Sequence, residues 1–216
     1  MRSAVHRIAP VLGVVALALT ACSTDTPGNA QPSPGTSSSR SQTAPPPGSA
    51  DQVPGPGVPK VNSPIDTTSY HQTPCTTLTE AQVSELLGAD ARSKSDLNDP
   101  AGPTCTWRPP GNSNTLVQVS FFTADATGLS RIYRQRGNDY KFFMELPPIA
   151  GFPAVAYDVS DRRNTKGECI VAIGTSDTSR LDSVITLSDK NIGKKDPCEI
   201  AQKVAGEALA NVKGGR

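Results

Sequence analysis

Few side chains in this sequence have the types and spacing that catalysis needs. The chain has two histidines, His6 and His71. His6 precedes an N-terminal apolar run typical of an export signal, so a Ser-His-Asp or Cys-His arrangement would have to use His71. No catalytic motif flanks His71, and we interpret it as a solvated loop residue. The sequence therefore predicts a protein that is not an enzyme.

Cofactor and metal sites are not indicated either. The chain has five cysteines, but no two of them have C-x-x-C spacing and none has a histidine partner suited to zinc. Neither the phosphate-binding pattern G-x-x-x-x-G-K-[ST] nor the nucleophile pattern G-x-S-x-G occurs. We expect no cofactor and no metal ligands.

Carboxylates could still work as a pair. Asp158 and Asp161 lie at a strand end in "DVSDRRN", which we interpret as a polar surface turn. A carboxylate-dependent cell-wall enzyme stays an alternative. A local basic cluster has two interpretations, a solvated helix face or a site for an acidic partner or anionic headgroup; it comprises Arg131, Arg134, Arg136 and Lys141.

Several aromatic residues could line an apolar pocket, but we favour packing in the core for all of them. This set comprises Phe142, Phe143, Phe152 and Tyr157. Trp107 follows Cys105 by two positions, and we expect it in the core as well.

The first 22 residues have the pattern of an exported, lipid-modified protein. Arg2 and Arg7 precede the apolar run Ile8–Leu19, which is shorter than the roughly 20 residues that span a bilayer. The run leads into "LTAC", which resembles the bacterial lipobox, in which the cysteine receives a diacylglycerol. We predict a signal peptide over residues 1–21 and a lipid anchor at Cys22 on the outer face of the cell membrane. Ordinary secretion, with a chance cysteine at the cleavage site, is the alternative.

Residues 22–71 are predicted to be a disordered stalk. Ten prolines fall between Pro27 and Pro64, and all ten aromatic residues of the chain lie at Tyr70 or later. Such a segment cannot bury enough apolar surface to offset the entropy of ordering the chain.

Residues 72–213 are predicted to form a single domain with helices at both ends. Thr79 and Gln82 indicate a capping box for a short helix over Glu80–Leu87. Asp196-Pro197 indicates the start of a long C-terminal helix with an apolar stripe. Between them, short strand-like runs such as "TLVQVSFF" alternate in polarity. The expected fold class is α+β, an antiparallel β-sheet packed against the N- and C-terminal helices.

The sequence resembles a family of secreted actinobacterial lipoproteins whose four-cysteine domain has no known function. The resemblance depends on several short motifs and the lipobox, and it covers essentially the whole domain. The motifs are Pro74-Cys75, Leu78-Thr79, Leu86-Leu87-Gly88, Cys105-Thr106-Trp107, Gly151-Phe152-Pro153-Ala154, Cys169 and Asp196-Pro197-Cys198. It implies lipid anchoring, two disulfides and no enzymatic activity. The domain also resembles, less closely, the Mog1/PsbP-like sandwich of helices and sheet.

The four domain cysteines allow three pairings, and loop entropy does not exclude the crossed ones. We predict Cys75–Cys105 and Cys169–Cys198, because each pair would tie the start of a terminal helix to the start of a strand. These bonds would be structural and typical of an exported protein.

Charge argues against nucleic acid as a partner. Without Arg2 and Arg7, 19 basic and 20 acidic side chains leave a formal charge of −1. We therefore expect a non-catalytic binding or interaction module at the cell envelope, whose partner is an envelope protein or a small apolar ligand. An accessory sensor that docks on a membrane kinase or transporter is the alternative.

Overall fold

A sheet of seven strands forms the centre of the fold in the computed structural model, which describes residues 52–111 and 113–215. The strands are β1 (Arg92–Asp96), β2 (Thr104–Arg108), β3 (Leu116–Phe122), β4 (Phe142–Ile149), β5 (Phe152–Asp158), β6 (Glu168–Gly174) and β7 (Arg180–Thr186). Their order is β1-β2-β3-β7-β6-β5-β4, and all neighbouring strands are antiparallel.

Three α-helices accompany the sheet in the described part of the chain. They are α1 (Glu80–Leu87), α2 (Ser130–Gln135) and α3 (Pro197–Gly214). Short 3-10 turns at Thr68–Tyr70, Pro74–Thr77 and Asp189–Asn191 complete the regular structure. The predicted α+β class is confirmed.

The predicted capping box starts α1. The backbone N–H of Thr79 donates to Gln82 Oε1 at 2.8 Å, and the backbone N–H of Gln82 donates to Thr79 Oγ1 at 3.3 Å. These two bonds satisfy donors that the first helical turn leaves free. The helix ends at Leu87, and the next residue is Gly88, whose φ of 94° favours glycine.

Helix α3 packs on one face of the sheet, which we call the helical face. At its start, Asp196 accepts a hydrogen bond from the Cys198 N–H at 2.8 Å. In the middle of the sheet, the Ser183 hydroxyl on β7 donates to the Ala201 carbonyl of α3 at 2.7 Å. The apolar stripe of the helix is fully buried; it includes Ala201, Val204, Ala205, Ala208 and Leu209.

Strand β3 shows why the alternating pattern arises. Its residues Val117, Val119 and Phe121 pair with Ile185, Ser183 and Leu181 of β7 and lie on the helical face. The intervening residues of β3 lie on the opposite face, because successive side chains of a strand alternate.

That opposite face, which we call the second face, is covered in part by α2 and by residues 52–58, where the Gly55 N–H donates to the Ser130 hydroxyl at 3.0 Å and Val58 packs against the apolar cluster. Ile132 and Tyr133 of α2 pack with Val155 and Tyr157 of β5. The N–H of Val61 donates to Asp177 Oδ1 at 2.9 Å, and the Val61 side chain is buried. The predicted boundary at residue 71 therefore differs from the structure, in which the end of the proline-rich segment already contacts the sheet. Tertiary hydrogen bonds offset the unfavourable composition there.

Strand β1 was not predicted. All five residues of Arg92–Asp96 are exposed, so the strand has no apolar alternation to indicate it. It is an edge strand that pairs only with β2, and charged residues on an edge oppose sheet-to-sheet aggregation.

The two predicted cysteine pairs lie at disulfide distance. The Cα atoms are 5.0 Å apart for Cys75 and Cys105 and 5.1 Å apart for Cys169 and Cys198. The first pair ties the turn before α1 to β2, and the second ties the start of α3 to β6. The first pair lies next to Trp107, which is 3% exposed and belongs to the core as predicted.

Removing the second disulfide should destabilise the domain without changing its fold. For a separation of 29 residues, we expect Cys169→Ala with Cys198→Ala to lower the free energy of unfolding by about 3–4 kcal/mol, measured by urea denaturation. Non-reducing peptide mapping of the exported protein supplies the direct check. A peptide that links Cys75 to Cys169 or Cys198, or four free thiols, would contradict the assignment.

Candidate binding site

His71, which we interpreted from the sequence as a solvated loop residue, is instead half-buried and packs against the domain. The His71 Nε2 atom lies 3.2 Å from Thr67 Oγ1, and the imidazole ring lies 5.3 Å from the ring of Phe121. Burial lowers the pKa of His71, and Asp66 opposes this effect weakly. In the described structure its hydrogen-bond partner is a threonine, so no base and orienting acid are assembled around it.

The two acids at the end of β5 each have their own arginine. Asp158 accepts hydrogen bonds from Arg162 at 2.9 and 3.0 Å. Asp161 accepts from Arg163 at 2.8 and 2.9 Å, and this bonding lowers the pKa of Asp161. Both carboxylates serve local ion pairs. Asp161 is exposed in the turn, as interpreted, whereas Asp158 is the last residue of β5 and is buried, so it does not belong to a surface turn.

A buried polar cluster beneath α2 was missed by sequence reasoning. Arg180 Nε donates to both Asp182 oxygens at 3.1 and 3.2 Å, and the Tyr157 hydroxyl donates to Asp182 Oδ2 at 2.9 Å. The Arg180 guanidinium also lies 3.3 Å from the centroid of the Phe122 ring. Burial raises the pKa of Asp182, and the pair with Arg180 opposes that rise. Asp182 lines none of the five grooves described below.

Glu207 on α3 is a second carboxyl group whose pKa is raised by burial. Its Oε2 atom is buried and has no hydrogen-bond partner among the described residues. Lys203 lies 3.8 Å away and opposes the shift. Like Asp182, Glu207 lines none of the five grooves.

The aromatic set divides between the two faces of the sheet. Phe142 and Phe152 belong to the core on the helical face, whereas Phe143 and Tyr157 pack on the second face with Tyr133. They form two parts of the core and do not line one pocket, which agrees with the interpretation we favoured.

The predicted basic cluster is partly neutralised. Arg131 pairs with Asp125 at 3.0 Å, and Arg136 lies 3.9 Å from Glu145. The Lys141 ammonium donates to the Gly137 carbonyl at 2.7 Å. Internal contacts therefore occupy most of the cluster.

An apolar groove opens at the end of the helical face, between α1 and the start of α3. Its floor consists of Val117, Ile185 and Leu187, which are buried. Its walls are half-buried and include Leu86 of α1 and Ile200 of α3. The groove has a volume of about 390 Å³, which falls within the range of roughly 300–1,000 Å³ typical of small-molecule sites.

The remaining lining of this groove comes from two connections. Residues 109–115 between β2 and β3 contribute Pro109, Pro110, Ser113 and Thr115. The connection from β7 to α3 contributes Ser188, Asn191 and two lysines, Lys190 and Lys195. Within the described lining, these lysines are the charged residues and no carboxylate is present.

The other four grooves have a different character. Each is lined by at least one carboxylate. The acids are Asp96 and Asp99 in the first groove, Glu80 in the second, Asp196 in the third, and Glu168 and Asp189 in the fourth. The largest, about 480 Å³, lies beside β1 and combines these acids with exposed cations on an open sheet edge. The apolar groove differs from these four in having no carboxylate in its described lining.

The described residues contain no group of three or more histidine, cysteine, aspartate or glutamate side chains placed to hold a metal ion. Over residues 52–111 and 113–215, no helix is long and apolar enough to cross a membrane. Cys22 and the apolar run Ile8–Leu19 lie outside the described residues.

These features define a class of protein, an α+β domain with a seven-stranded antiparallel sheet, two disulfides and an apolar groove beside α3. A protein-family model described as "Protein of unknown function (DUF3558)" matches residues 17–211, and the chain belongs to this family. The matched range contains all five cysteines. A search of curated proteins and a search of solved structures found no match. The resemblance to the Mog1/PsbP-like sandwich stays a prediction.

The environment of His71 makes a prediction about pH. Because burial lowers its pKa, the folded state holds fewer protons than the unfolded chain, and stability should fall as the pH drops from about 7 to about 5. We expect an NMR titration midpoint below the ordinary 6.5, and we expect His71→Gln to remove this part of the pH dependence. A midpoint at or above 6.5 would contradict the packing account.

Proposed function

We propose that this protein is a non-catalytic binding module, held at the outer face of the cell membrane by a lipid on Cys22, and that the groove beside α3 is its binding site. The observation that carries the proposal is a contrast. The groove beside α3 has no acid in its described lining, whereas Asp182 and Glu207, whose pKa values are raised by burial, line neither this groove nor the other four described above.

The anchor is supported by the sequence of the N-terminus. The 12 residues of Ile8–Leu19 are too few to span a bilayer, and "LTAC" places a cysteine where a lipobox requires it. Two acyl chains anchor a protein stably, whereas one gives marginal binding. Two disulfides are compatible with an exported location.

The absence of catalysis is supported by how the acids are used. An acid–base pair needs one carboxyl group of raised pKa that reaches substrate. Asp182 is instead enclosed by Arg180 and Tyr157, and Asp158 is held by Arg162. These contacts give each carboxylate a structural role.

The anchor can be tested with one substitution. We expect Cys22→Ala to abolish labelling with radioactive palmitate and to leave precursor or release soluble protein, because the thiol that accepts the lipid is gone. Ser23→Ala is the matched control and should label normally. Unchanged labelling of the Cys22→Ala protein would contradict the anchor.

The absence of catalysis can be tested on cell-wall glycans. We expect the purified protein to release no soluble fragments from peptidoglycan under conditions in which a known muramidase does. We expect Asp182→Asn to lower the free energy of unfolding by about 3 kcal/mol, because it leaves the buried Arg180 without its counter-charge. Glycan cleavage that is lost in Asp182→Asn or Glu207→Gln would overturn the proposal in favour of a carboxylate-dependent enzyme.

A further inference from the structure

The groove beside α3 combines apolar walls with a one-sided charge. We propose that it binds an anionic amphiphile, a single hydrocarbon chain that carries a negatively charged headgroup. This inference rests on the proposed function and names the ligand class of that site. The inference depends on three observations: the apolar surface of the groove, the two lysines Lys190 and Lys195, and the lack of acids in the described lining.

The fold covers the apolar walls of the groove only in part. Leu86 and Leu87 of α1 are only half-buried, and they face the groove opposite Ile200 on the first turn of α3. Beneath them, Ile185 and Leu187 are 2% and 5% exposed and form a closed floor. A hydrocarbon chain in the groove would remove the half-exposed walls from water, which is favourable in proportion to the apolar area covered.

The cations are available. Lys190 and Lys195 are exposed, and within the described residues neither has an ion-pair partner. Asn191 lies between them in sequence and is held by a hydrogen bond from its Nδ2 atom to Ser188 Oγ at 3.0 Å. The side-chain amide of Asn191 is therefore used within the connection, whereas the ammonium groups of Lys190 and Lys195 can bind an anion.

The charge of the lining selects among ligands. Because its described residues carry two positive charges and no negative one, the groove favours an anionic headgroup and disfavours a cationic one. The N-terminal apolar run of this chain is unsuited as the occupant of the groove, because it carries no negative charge. Ile8–Leu19 follows Arg2 and Arg7, and residues 1–24 contain no acid.

The test uses probes of matched chain length and different headgroup charge. Decyl sulfate, decyl glucoside and decyltrimethylammonium are titrated below their micelle concentrations into the chain from residue 22 with Cys22→Ser. We expect one molecule to bind, and the sulfate to bind about tenfold more tightly than the trimethylammonium probe. Shortening the sulfate from ten to eight carbons should weaken binding about fifteenfold.

A charge reversal locates the headgroup. Lys190→Glu with Lys195→Glu should invert the preference, so that the trimethylammonium probe binds more tightly than the sulfate. The matched control is Lys94→Glu with Lys166→Glu, which changes the net charge equally at exposed lysines outside the groove and should leave the preference intact. Methyl NMR should show shifts at Leu86, Ile185 and Ile200.

Three outcomes would overturn the inference: equal affinity for the three probes, a preference that the groove variant does not invert, or no binding of any probe. The proposed function is tested separately by glycan cleavage and by lipid labelling. If the probes do not bind as expected, while the protein cleaves no glycan and Cys22→Ala abolishes labelling, then the ligand class is wrong and the proposed binding module is not contradicted.

Discussion

The close packing of α3 on the sheet is the interaction on which the rest of the structure depends. Small residues make it close: Ala201, Ala205 and Ala208 are fully buried and let the helix axis approach β6 and β7. Cys198 fixes the start of the helix to β6, and near its end the Asn211 side chain donates to the Thr77 carbonyl at 2.9 Å. The N-terminal segment is thereby held to the C-terminal helix. The groove is a consequence, because Ile200 on the first turn of α3 forms one of its walls.

The two faces of the sheet handle charge differently. On the second face, Arg180 and Asp182 are buried under α2 and satisfy each other, with Tyr157 as a third partner. A buried pair of this kind is costly to desolvate and costly to break. Arg180 also donates to the Gly128 carbonyl at 3.0 Å, so the pair holds the segment just before α2 to the sheet. At the end of the helical face, Lys190 and Lys195, which have no ion-pair partner among the described residues, border an apolar surface. The second arrangement is the one suited to meeting a ligand.

Short sequence motifs predicted most helices and strands, but they could not predict contacts between residues that are far apart in the sequence. The capping box at Thr79 and the Asp196-Pro197 pair identify helix starts because caps involve residues only a few positions apart. Strand β1 has no apolar residue to indicate it, and the packing of Val61 depends on Asp177, 116 positions away. The groove was missed for the same reason. Its walls come from four separate parts of the sequence.

The central claim is that this groove carries a ligand in the cell envelope, and native mass spectrometry tests it most directly. Protein extracted from its own membrane and measured intact should carry one non-covalent anionic amphiphile in addition to the lipid on Cys22. The same adduct should be lost from Lys190→Glu with Lys195→Glu and kept by Lys94→Glu with Lys166→Glu. Wild-type protein without an adduct, or an adduct that the groove variant retains, would contradict the account.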